Sequence, residues 1–468
     1  SEGKPSQGGI ARVFSYLRSE KSKDHEALII NGGDSMNRGS PSYSDKFQCQ
    51  EWSWYNGLCD AMALGNHEFD YGFKVFEECR KKIKYPIVNA TLVGISNRKP
   101  FFNIKGKPYL ILKRKGLRIG LFAVSGSDFP TLISKQNMPE NTEFQDPILA
   151  TRLVVEALRK ENVNAIIKIG HNSYNEDIAL AKAVPGIHLI LGTHSHIKEN
   201  LALIPGTQTW MASPYQFLSY VSHLELRFRD GGISGITGDL VRMDSTLPEA
   251  ADIKKRVDAN EQLLRADPLF SARFKKIGSI DYNISNSSHY SIESELGNWT
   301  MDILRAKAKA HIAVSTASSF RSEIQKGDLT TENVLESLPF QNQTVVLEMK
   351  GHEIRFLFEM SLKKRGTDSF LQFSGVKVVA KNTSIKQIQI LKEPTEPELG
   401  YTPILDGETY SVAMTNYLAD VAIDYRSVLG AIKDRDNKNF TVNQAVIDAL
   451  SSTAPARPRL DGRIRFEE

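Results

Sequence analysis

The stretch Asp60-Ala61-Met62-Ala63-Leu64-Gly65-Asn66-His67-Glu68-Phe69-Asp70 is a short apolar run that ends in an amide, an imidazole and two carboxylates. The apolar half predicts a buried strand, and the polar half predicts a reactive loop at its end. Asn66 offers a neutral oxygen to a metal ion, and His67 can hold or release a proton near neutral pH. Asp70 is close enough in sequence to orient the His67 ring. We expect the other parts of the site to lie at the ends of similar strands.

Three further apolar runs end in residues of the same kind. They are residues 27–30 before Asp34, 165–169 before His171, and 187–191 before His194 and His196. Most of these polar residues follow a glycine, which allows backbone and ligand to approach closely. Ligands of α/β proteins gather at the carboxyl ends of strands. A single histidine at a strand end is usually an ordinary residue, but the same pattern at four strand ends favours a metal site.

The residue types in this pattern suit divalent metal ions. A carboxylate such as Asp34 can bridge two cations, and histidines are nitrogen ligands that zinc or manganese accepts. Asn66, His171 and His194 add enough ligands for one nearly complete site, and His196 belongs to part of a second. Two neighbouring metal ions are a common solution for phosphoester hydrolysis, because they activate a water and neutralise the phosphoryl oxygens. The pattern predicts two divalent metal ions, zinc or alternatively manganese.

Length and composition indicate the class of protein. The chain has 468 residues, 41% of them hydrophobic, which is ordinary for a globular protein of two or three domains. The net charge is +4, but lysine and arginine are spread along the chain, so we expect no nucleic-acid partner. No apolar run approaches the roughly 20 residues that a transmembrane helix needs. The first residues are polar, so they are not a signal peptide.

The cysteines and the glycosylation motifs bear on the compartment. Cys49, Cys59 and Cys79 allow one disulfide and one free thiol, with the pairing left open. Asn-X-Ser/Thr sequons favour a secreted glycoprotein, or a periplasmic protein if the source is bacterial. The sequons begin at Asn89, Asn283, Asn286, Asn298, Asn342, Asn382 and Asn439.

Strand and helix patterns alternate up to about residue 245, which is typical of a layered α/β domain. Thr246 and Glu249 have the spacing of a capping box and predict a connector helix with Pro248 in its first turn. A second unit with helices and β-rich segments follows. We therefore predict domains at residues 1–245 and 276–468, joined by a connector at 246–275.

The segments around the predicted ligands resemble the motifs of calcineurin-type metallophosphoesterases. The matching segments are Gly32-Gly33-Asp34, Gly65 to Asp70, Gly170-His171, and Gly192-Thr193-His194-Ser195-His196. Their order along nearly the whole chain is similar to that of the 5'-nucleotidase and apyrase family. The resemblance implies an α/β metallophosphoesterase sandwich, a connector helix and a second α+β domain that determines nucleotide specificity.

The resemblance also implies roles for the site residues. Asp34, Asn66, His171 and His194 would hold one metal ion, and Asp34 and His196 would contribute to the second. His67, positioned by Asp70, would stabilise the phosphoryl group or protonate the leaving oxygen. The family's opening strand, with an Asp-X-His pair that completes the first metal site, does not occur in this sequence. Either it precedes residue 1, which we favour, or the first metal site is incomplete.

In the second domain, the resemblance implies a nucleotide-binding set. Arg321 stands at the position of a substrate-binding arginine, and Phe340 and Tyr417 match two aromatic residues that sandwich the nucleobase. Asn342 could hydrogen-bond the base edge, and Asp424 stands one position from a family aspartate. Plain core aromatics are the alternative interpretation of Phe340 and Tyr417.

Some positions depart from the family pattern. Serines replace the glycines before Arg321, and the family's arginines are missing around residues 288–290. Loss of arginine would weaken phosphate recognition more than metal-driven chemistry. We predict hydrolysis of nucleotide phosphate esters or anhydrides, by in-line attack of a metal-activated water. The alternatives are a secreted nucleotide-binding protein with weakened turnover, and a hydrolase of another phosphate or sulfate ester.

Overall fold

The computed structural model describes residues 8–36, 41–102, 104–452 and 457–467. These residues form two compact units. The first unit contains residues 8–36 and 47–263, and the second contains residues 41–46 and 264–467. The division after residue 263 lies inside the predicted connector.

The first unit contains three-stranded and six-stranded sheets with helices on their outer faces. Its helices are α1 Ile10–Lys23, α3 Phe73–Arg80, α4 Phe129–Leu132, α5 Pro147–Lys160, α6 Tyr174–Ala183 and most of α7 Ala251–Ala266, whereas α2 Pro41–Phe47 lies almost wholly in the second unit. Its strands are β1 Ile30–Asn31, β2 Ala61–Ala63, β3 Ile87–Val88, β4 Leu92–Gly94, β5 Tyr109–Arg114, β6 Leu117–Ser125, β7 Thr142–Phe144, β8 Ala165–His171, β9 Leu189–Gly192, β10 Lys198–Leu203, β11 Trp210–Pro214, β12 Tyr220–Arg229 and β13 Gly232–Arg242.

The sheet order brings the ends of the predicted strands together. Strands β1, β2 and β3 pair in parallel, with Met62 opposite Asn31 on one side and Ile87 on the other. The larger sheet has the order β10-β11-β9-β8-β6-β5. Its strands β6, β8 and β9 are parallel neighbours, so β8 and β9 end at the same edge.

The two sheets face each other across a shared core, which gives the predicted layered sandwich. Ala61 and Ala63 of β2 contact the same buried cluster as Leu121 of β6 and Ile167 of β8. Because β2 is buried on both faces, its sequence is continuously apolar instead of alternating. Helix α5 covers the far face of the larger sheet, and the Asp146 side chain accepts from the Leu149 N–H at 2.7 Å to cap it.

A disulfide joins Cys49 to Cys79, whereas Cys59 is a buried free thiol. The bridge lies in an aromatic core on the outer side of the small sheet, beside Trp52 and Phe76. It closes a loop with a sequence separation of 30 residues that contains β2 and Asn66. The disulfide therefore constrains the segment that carries the reactive loop.

The second unit contains a five-stranded sheet of order β18-β15-β22-β17-β23 and a four-stranded sheet of order β21-β20-β19-β24, and β14 pairs with β16. Its helices are α8 Glu295–Ala308, α9 Thr331–Ser337, α10 Gly351–Lys363, α11 Arg426–Leu429 and α12 Val442–Ser452. Its strands are β14 Lys276–Ile280, β15 Ile312–Thr316, β16 Gly327–Thr330, β17 Gln343–Lys350, β18 Leu371–Ser374, β19 Val376–Lys381, β20 Ser384–Leu391, β21 Tyr401–Pro403, β22 Thr409–Thr415, β23 Arg435–Thr441 and β24 Ile464–Phe466.

The connector helix begins later than the capping-box pattern predicts. Helix α7 starts at Ala251, so Pro248 does not lie in its first turn. The Thr246 hydroxyl donates to Asp244 Oδ1 at 2.6 Å and forms a turn ahead of the helix. The prediction that Thr246 and Glu249 start the helix is therefore wrong, because the nearer carboxylate of Asp244 accepts the hydrogen bond of the threonine hydroxyl.

Among the described residues, no helix combines the length and the apolar character that crossing a membrane requires.

We predict that replacing Cys79 by serine destabilises the first unit. Opening a loop of about this length should lower the free energy of unfolding by roughly 3 to 4 kcal/mol, because the unfolded chain gains freedom. Urea unfolding followed by circular dichroism measures the change. Reductant should lower the stability of the wild type but not that of Cys79→Ser. An unchanged wild-type midpoint in reductant would contradict the prediction.

Candidate active site

Three predicted ligands meet at the adjoining strand ends. One ligand atom each from Asp34, His171 and His194 lies within 4.8 Å of the others. Asp34 follows β1, His171 is the last residue of β8, and His194 follows β9. His171 Nε2 is 3.0 Å from Asp34 Oδ2. One carboxylate and two imidazoles at this spacing form a ligand set suited to a divalent metal ion.

Two buried atoms beside this cluster match the same chemistry. Asn66 Oδ1 is buried and has no hydrogen-bond partner in the described part of the chain, and His171 Nε2 is buried against Asp34 Oδ2. His171 Nδ1 is 2.9 Å from the Gly32 carbonyl oxygen. Since a carbonyl only accepts, Nδ1 carries a proton, and Nε2 is the nitrogen that a metal ion can bind. A buried acceptor atom without a donor is costly, so the Asn66 oxygen also fits a bound cation.

The charges around Asp34 keep it ionised. Burial raises the pKa of this carboxyl, but the nearby imidazoles of His171, His67 and His194 outweigh burial and hold the pKa well below its usual range. The His67 backbone N–H also donates to Asp34 Oδ1 at 2.9 Å. Asp34 is therefore a carboxylate at neutral pH, as a metal ligand must be.

Glu68 anchors the loops that carry Asp34 and Asn66, a role that we did not predict from the sequence. This fully buried carboxylate accepts from the backbone N–H groups of Asp34 at 2.9 Å, Ser35 at 2.7 Å and Gly65 at 2.6 Å. Burial and the Asp34 charge raise the pKa of Glu68 to about 7. A Cβ at Gly65 would lie 2.2 Å from Asp34 Oδ1, so only glycine allows the two loops to approach this closely.

His67 and Asp70 form the expected pair. His67 Nδ1 is 2.8 Å from Asp70 Oδ2. The Asp70 carboxylate accepts a hydrogen bond from Nδ1. Nε2, on the opposite side of the ring, is then the nitrogen that can exchange a proton. This arrangement suits a general acid or a stabiliser of developing negative charge.

The two histidines after β9 have different surroundings. His194 Nε2 is 3.2 Å from Asp128 Oδ2, and its ring contacts Phe129 with centroids 6.0 Å apart. His196 is not part of the three-residue cluster found among the described residues, and its ring lies against Phe217 with centroids 6.2 Å apart. Asp128 adds a carboxylate beside the cluster that we did not predict.

A buried ion pair lies beneath the loops that end in His171 and His194. The Lys168 side chain is fully buried, forms an ion pair with Asp177, and donates to Asn172 Oδ1 at 2.8 Å. A Cβ at Gly170 would lie 2.6 Å from Asp177 Oδ2, and one at Gly192 would lie 3.4 Å from it. The charged pair therefore packs directly against the glycines that precede both histidines.

The second unit brings together Phe340 and Asn342. Both line a pocket that also contains hydroxyl and apolar side chains. The Arg321 guanidinium lies over the Phe340 ring, 5.2 Å from its centroid. The other lining residues are Ser315, Ser319, Phe320, Leu338, Thr415 and Val442. An aromatic face beside polar groups is suited to a planar ligand with a polar edge.

The remaining predicted binding residues lie close to this region in sequence. Tyr417 begins a π-helical turn, Tyr417–Val421, two residues after the pocket residue Thr415. Such turns are frequent at functional sites. Asp424 is paired with Lys364 at 2.5 Å, so its carboxylate is already neutralised by a cation. Neither Tyr417 nor Asp424 is among the described residues that line this pocket.

His289 occupies the segment where the resembling family carries arginines. It is 3% exposed, and its ring stacks on Tyr290 with centroids 4.0 Å apart. Burial and the Arg321 charge lower the pKa of His289 to about 4. A neutral imidazole therefore lies in this segment, in which the sequence already lacks the family's arginines.

Two family models match the chain. The calcineurin-like phosphoesterase model matches residues 6–198, and the model of the 5'-nucleotidase C-terminal domain matches residues 276–427. Between them they contain all twelve predicted site residues.

Similar proteins match over nearly the whole length. The chain is 25% identical to a 5'-nucleotidase of Homo sapiens, over 98% of this chain and 85% of that protein. It is 25% identical to Protein UshA of Escherichia coli, over 90% of this chain and 81% of that protein. The solved structure of a 5'-nucleotidase precursor from Thermus thermophilus covers 100% of this chain and 95% of its own, with a TM-score of 0.82 and 24% identity. That last likeness supports the fold.

We predict that Glu68→Gln weakens metal binding by roughly 10- to 100-fold, as the loss of a group that orients metal ligands commonly does. The amide offers one acceptor oxygen where three backbone N–H groups converge, so the Asp34 loop loses its fixed position. Calorimetric titration with Mn²⁺ or Zn²⁺ measures the affinity. Glu78→Gln, on the exposed side of α3, is the matched control. Wild-type metal affinity in Glu68→Gln would contradict this role.

Proposed function

Because this chain belongs to the 5'-nucleotidase family of calcineurin-like phosphoesterases, and is thus a metallophosphohydrolase, we propose that it releases phosphate from the esters or anhydrides of nucleotides. The observation that carries the proposal is the convergence of Asp34, His171 and His194 within 4.8 Å. The buried oxygen of Asn66 lies on the adjoining loop. These residues offer the mixed nitrogen and oxygen ligands of a hydrolytic metal centre.

We propose that Asp34, Asn66, His171 and His194 hold one divalent ion and that Asp34 and His196 contribute to a second. Zinc suits the two imidazoles and the carboxylate, and manganese is the alternative. When bound, such ions acidify a water and neutralise the phosphoryl oxygens. The chain itself supplies the orientation, because Gly32 fixes the His171 ring and Glu68 fixes the Asp34 loop.

We propose that His67 donates a proton to the leaving oxygen or stabilises negative charge on the phosphoryl group. Asp70 accepts from Nδ1 and stabilises the protonated ring, which can then donate from Nε2. In that form, the ring lowers the cost of negative charge on the departing oxygen or on the phosphoryl group. Once deprotonated, it keeps the same orientation through Asp70, so the ring is ready for the next proton.

We propose that the second unit selects the nucleoside. The Phe340 ring, with Arg321 on it and Asn342 beside it, would stack on the base and bind its edge. Tyr417 would supply the second aromatic face, and Asp424 would bind the sugar once it leaves Lys364. In this proposal residues 1–245 are the catalytic domain, 246–275 the connector, and 276–468 the specificity domain, with 41–46 as an exception.

The disulfide supports a location outside the reducing cytosol. Cys49 and Cys79 are bridged, and disulfides persist in secreted and periplasmic proteins. We propose an extracellular enzyme, or a periplasmic one if the source is bacterial.

A nucleotide-binding protein with weak turnover is the second candidate. The neutral His289 favours it, because this side chain offers no positive charge to a distal phosphate. Hydrolysis of a different phosphate or sulfate ester is the third candidate, and a substrate panel separates it from the first.

We expect the purified protein to bind metal and to release phosphate from AMP, ADP or ATP. His171→Asn should lose both properties, because it removes a buried nitrogen ligand. Metal analysis and a phosphate assay measure the two effects together. His25→Asn, at an exposed position of the same unit, is the matched control. Metal binding without phosphate release from any nucleotide would favour the second candidate.

We predict that Phe340→Ala raises the KM for the nucleotide roughly 5- to 150-fold, because a stacked base contributes roughly 1 to 3 kcal/mol. The kcat should change little if the ring binds substrate and transition state equally. Steady-state kinetics with AMP and with β-glycerophosphate measure the effect, and only the nucleotide should be affected. Phe356→Ala, at an exposed position of α10, is the control. Equal losses on both substrates would contradict base stacking.

A further inference from the structure

The seven sequons have very different surroundings in the folded chain. Asn89 is fully buried, and its Nδ2 donates to Ser125 Oγ at 2.7 Å. Asn298 is 1% exposed, and its Nδ2 donates to Glu293 Oε2 at 2.7 Å and to the Arg459 carbonyl at 2.8 Å. A glycan on either nitrogen would break these bonds and could not fit inside the core. Folded molecules therefore carry no sugar at Asn89 or Asn298.

Two other sequons lie in or near the pocket of the second unit. Asn342 lines that pocket together with Phe340. Asn286 Nδ2 donates to the carbonyl of Phe320, another lining residue, at 3.4 Å. A glycan on Asn342 would fill the pocket, and one on Asn286 would displace a contact to its wall. Molecules that bind nucleotide through this pocket therefore carry no sugar at Asn342.

The last three acceptors are open to solvent. Asn283 is exposed, and its oxygen, not its nitrogen, takes part in the 2.8 Å bond from Lys326 N–H. Asn382 is exposed at the turn between β19 and β20 and has a φ of 55°. Asn439 is exposed on β23. At each of these positions a bulky group can extend away from the unit.

We propose that Asn283, Asn382 and Asn439 are the N-glycosylation sites of this protein. The inference rests on the proposed secretory location. The donor is a lipid-linked oligosaccharide: the bond from its first sugar carbon to the pyrophosphate oxygen breaks and a bond to Asn Nδ2 forms. The displaced proton leaves with the lipid pyrophosphate.

The position of Asn439 gives one glycan a structural role. Strand β23 is the outer strand of the five-stranded sheet and pairs only with β17 in the described sheet. Outer strands have unpaired backbone groups that can recruit other chains. Charged neighbours already discourage such pairing, since β23 carries Arg435, Asp436 and Lys438. A glycan at Asn439 would add a hydrated, bulky shield along the same edge.

The test is site mapping on the full chain, secreted from a eukaryotic host. Enzymatic release of the glycans in heavy-oxygen water converts each occupied asparagine to labelled aspartate, and mass spectrometry of the peptides locates the label. We expect label at Asn283, Asn382 and Asn439 and none at Asn89, Asn286, Asn298 or Asn342. Label at a buried asparagine of monodisperse protein, or no label at the three exposed positions, overturns the proposal.

The same preparation separates this inference from the proposed function. Phosphate release is assayed before and after glycan removal, so a glycosylated but inactive protein would refute only the enzyme proposal. For the edge role, Asn439→Gln should lose part of its main peak to larger species in size-exclusion chromatography, whereas Asn382→Gln should keep it. Identical profiles for both variants overturn the edge role.

Discussion

The Glu68 carboxylate is the contact on which the site depends. It binds the backbone N–H groups of Asp34, Ser35 and Gly65, and so joins the loop after β1 to the loop after β2. These loops carry the carboxylate and the amide that we propose as metal ligands. A buried carboxylate that satisfies three backbone donors is stable only when all of them stay in place. The geometry of the metal ligands is thus a property of the small sheet and not of the ligands alone.

The fold was largely predictable because the strands of this architecture are buried on both faces. The continuous apolar run before Asn66 predicted β2, and residues 165–169 predicted β8, since such sequences have few alternatives. Predictions from local sequence patterns failed where another contact competes with the predicted one. Thr246 bonds to Asp244 instead of capping a helix, and residues 41–46 cluster with the second unit, which no periodicity in the chain indicates.

The candidate site, like the fold, has parts that the sequence predicts and parts that it does not. Asp34, His171 and His194 could be predicted because parallel strands place their carboxyl ends at one edge, whatever the side chains beneath them. Glu68, Asp128 and Lys168 could not be assigned roles, because their roles come from contacts distant in sequence. Glu68 was visible in the motif, where its position between His67 and Asp70 was the only signal available.

In the second unit, the neutral His289 stands in a segment that lacks the family's arginines, and this affects how a phosphate can be bound. An arginine beside the pocket would attract a distal phosphate at any pH, whereas the buried His289 has a pKa of about 4 and stays neutral. Arg321 remains, but its guanidinium lies against Phe340. A ligand that stacks on that ring must displace Arg321 or share the ring with it. If the cation moves with the ligand, it becomes available for a phosphate or a sugar oxygen only when a base is bound. Base recognition and phosphate recognition are then coupled through a single aromatic ring.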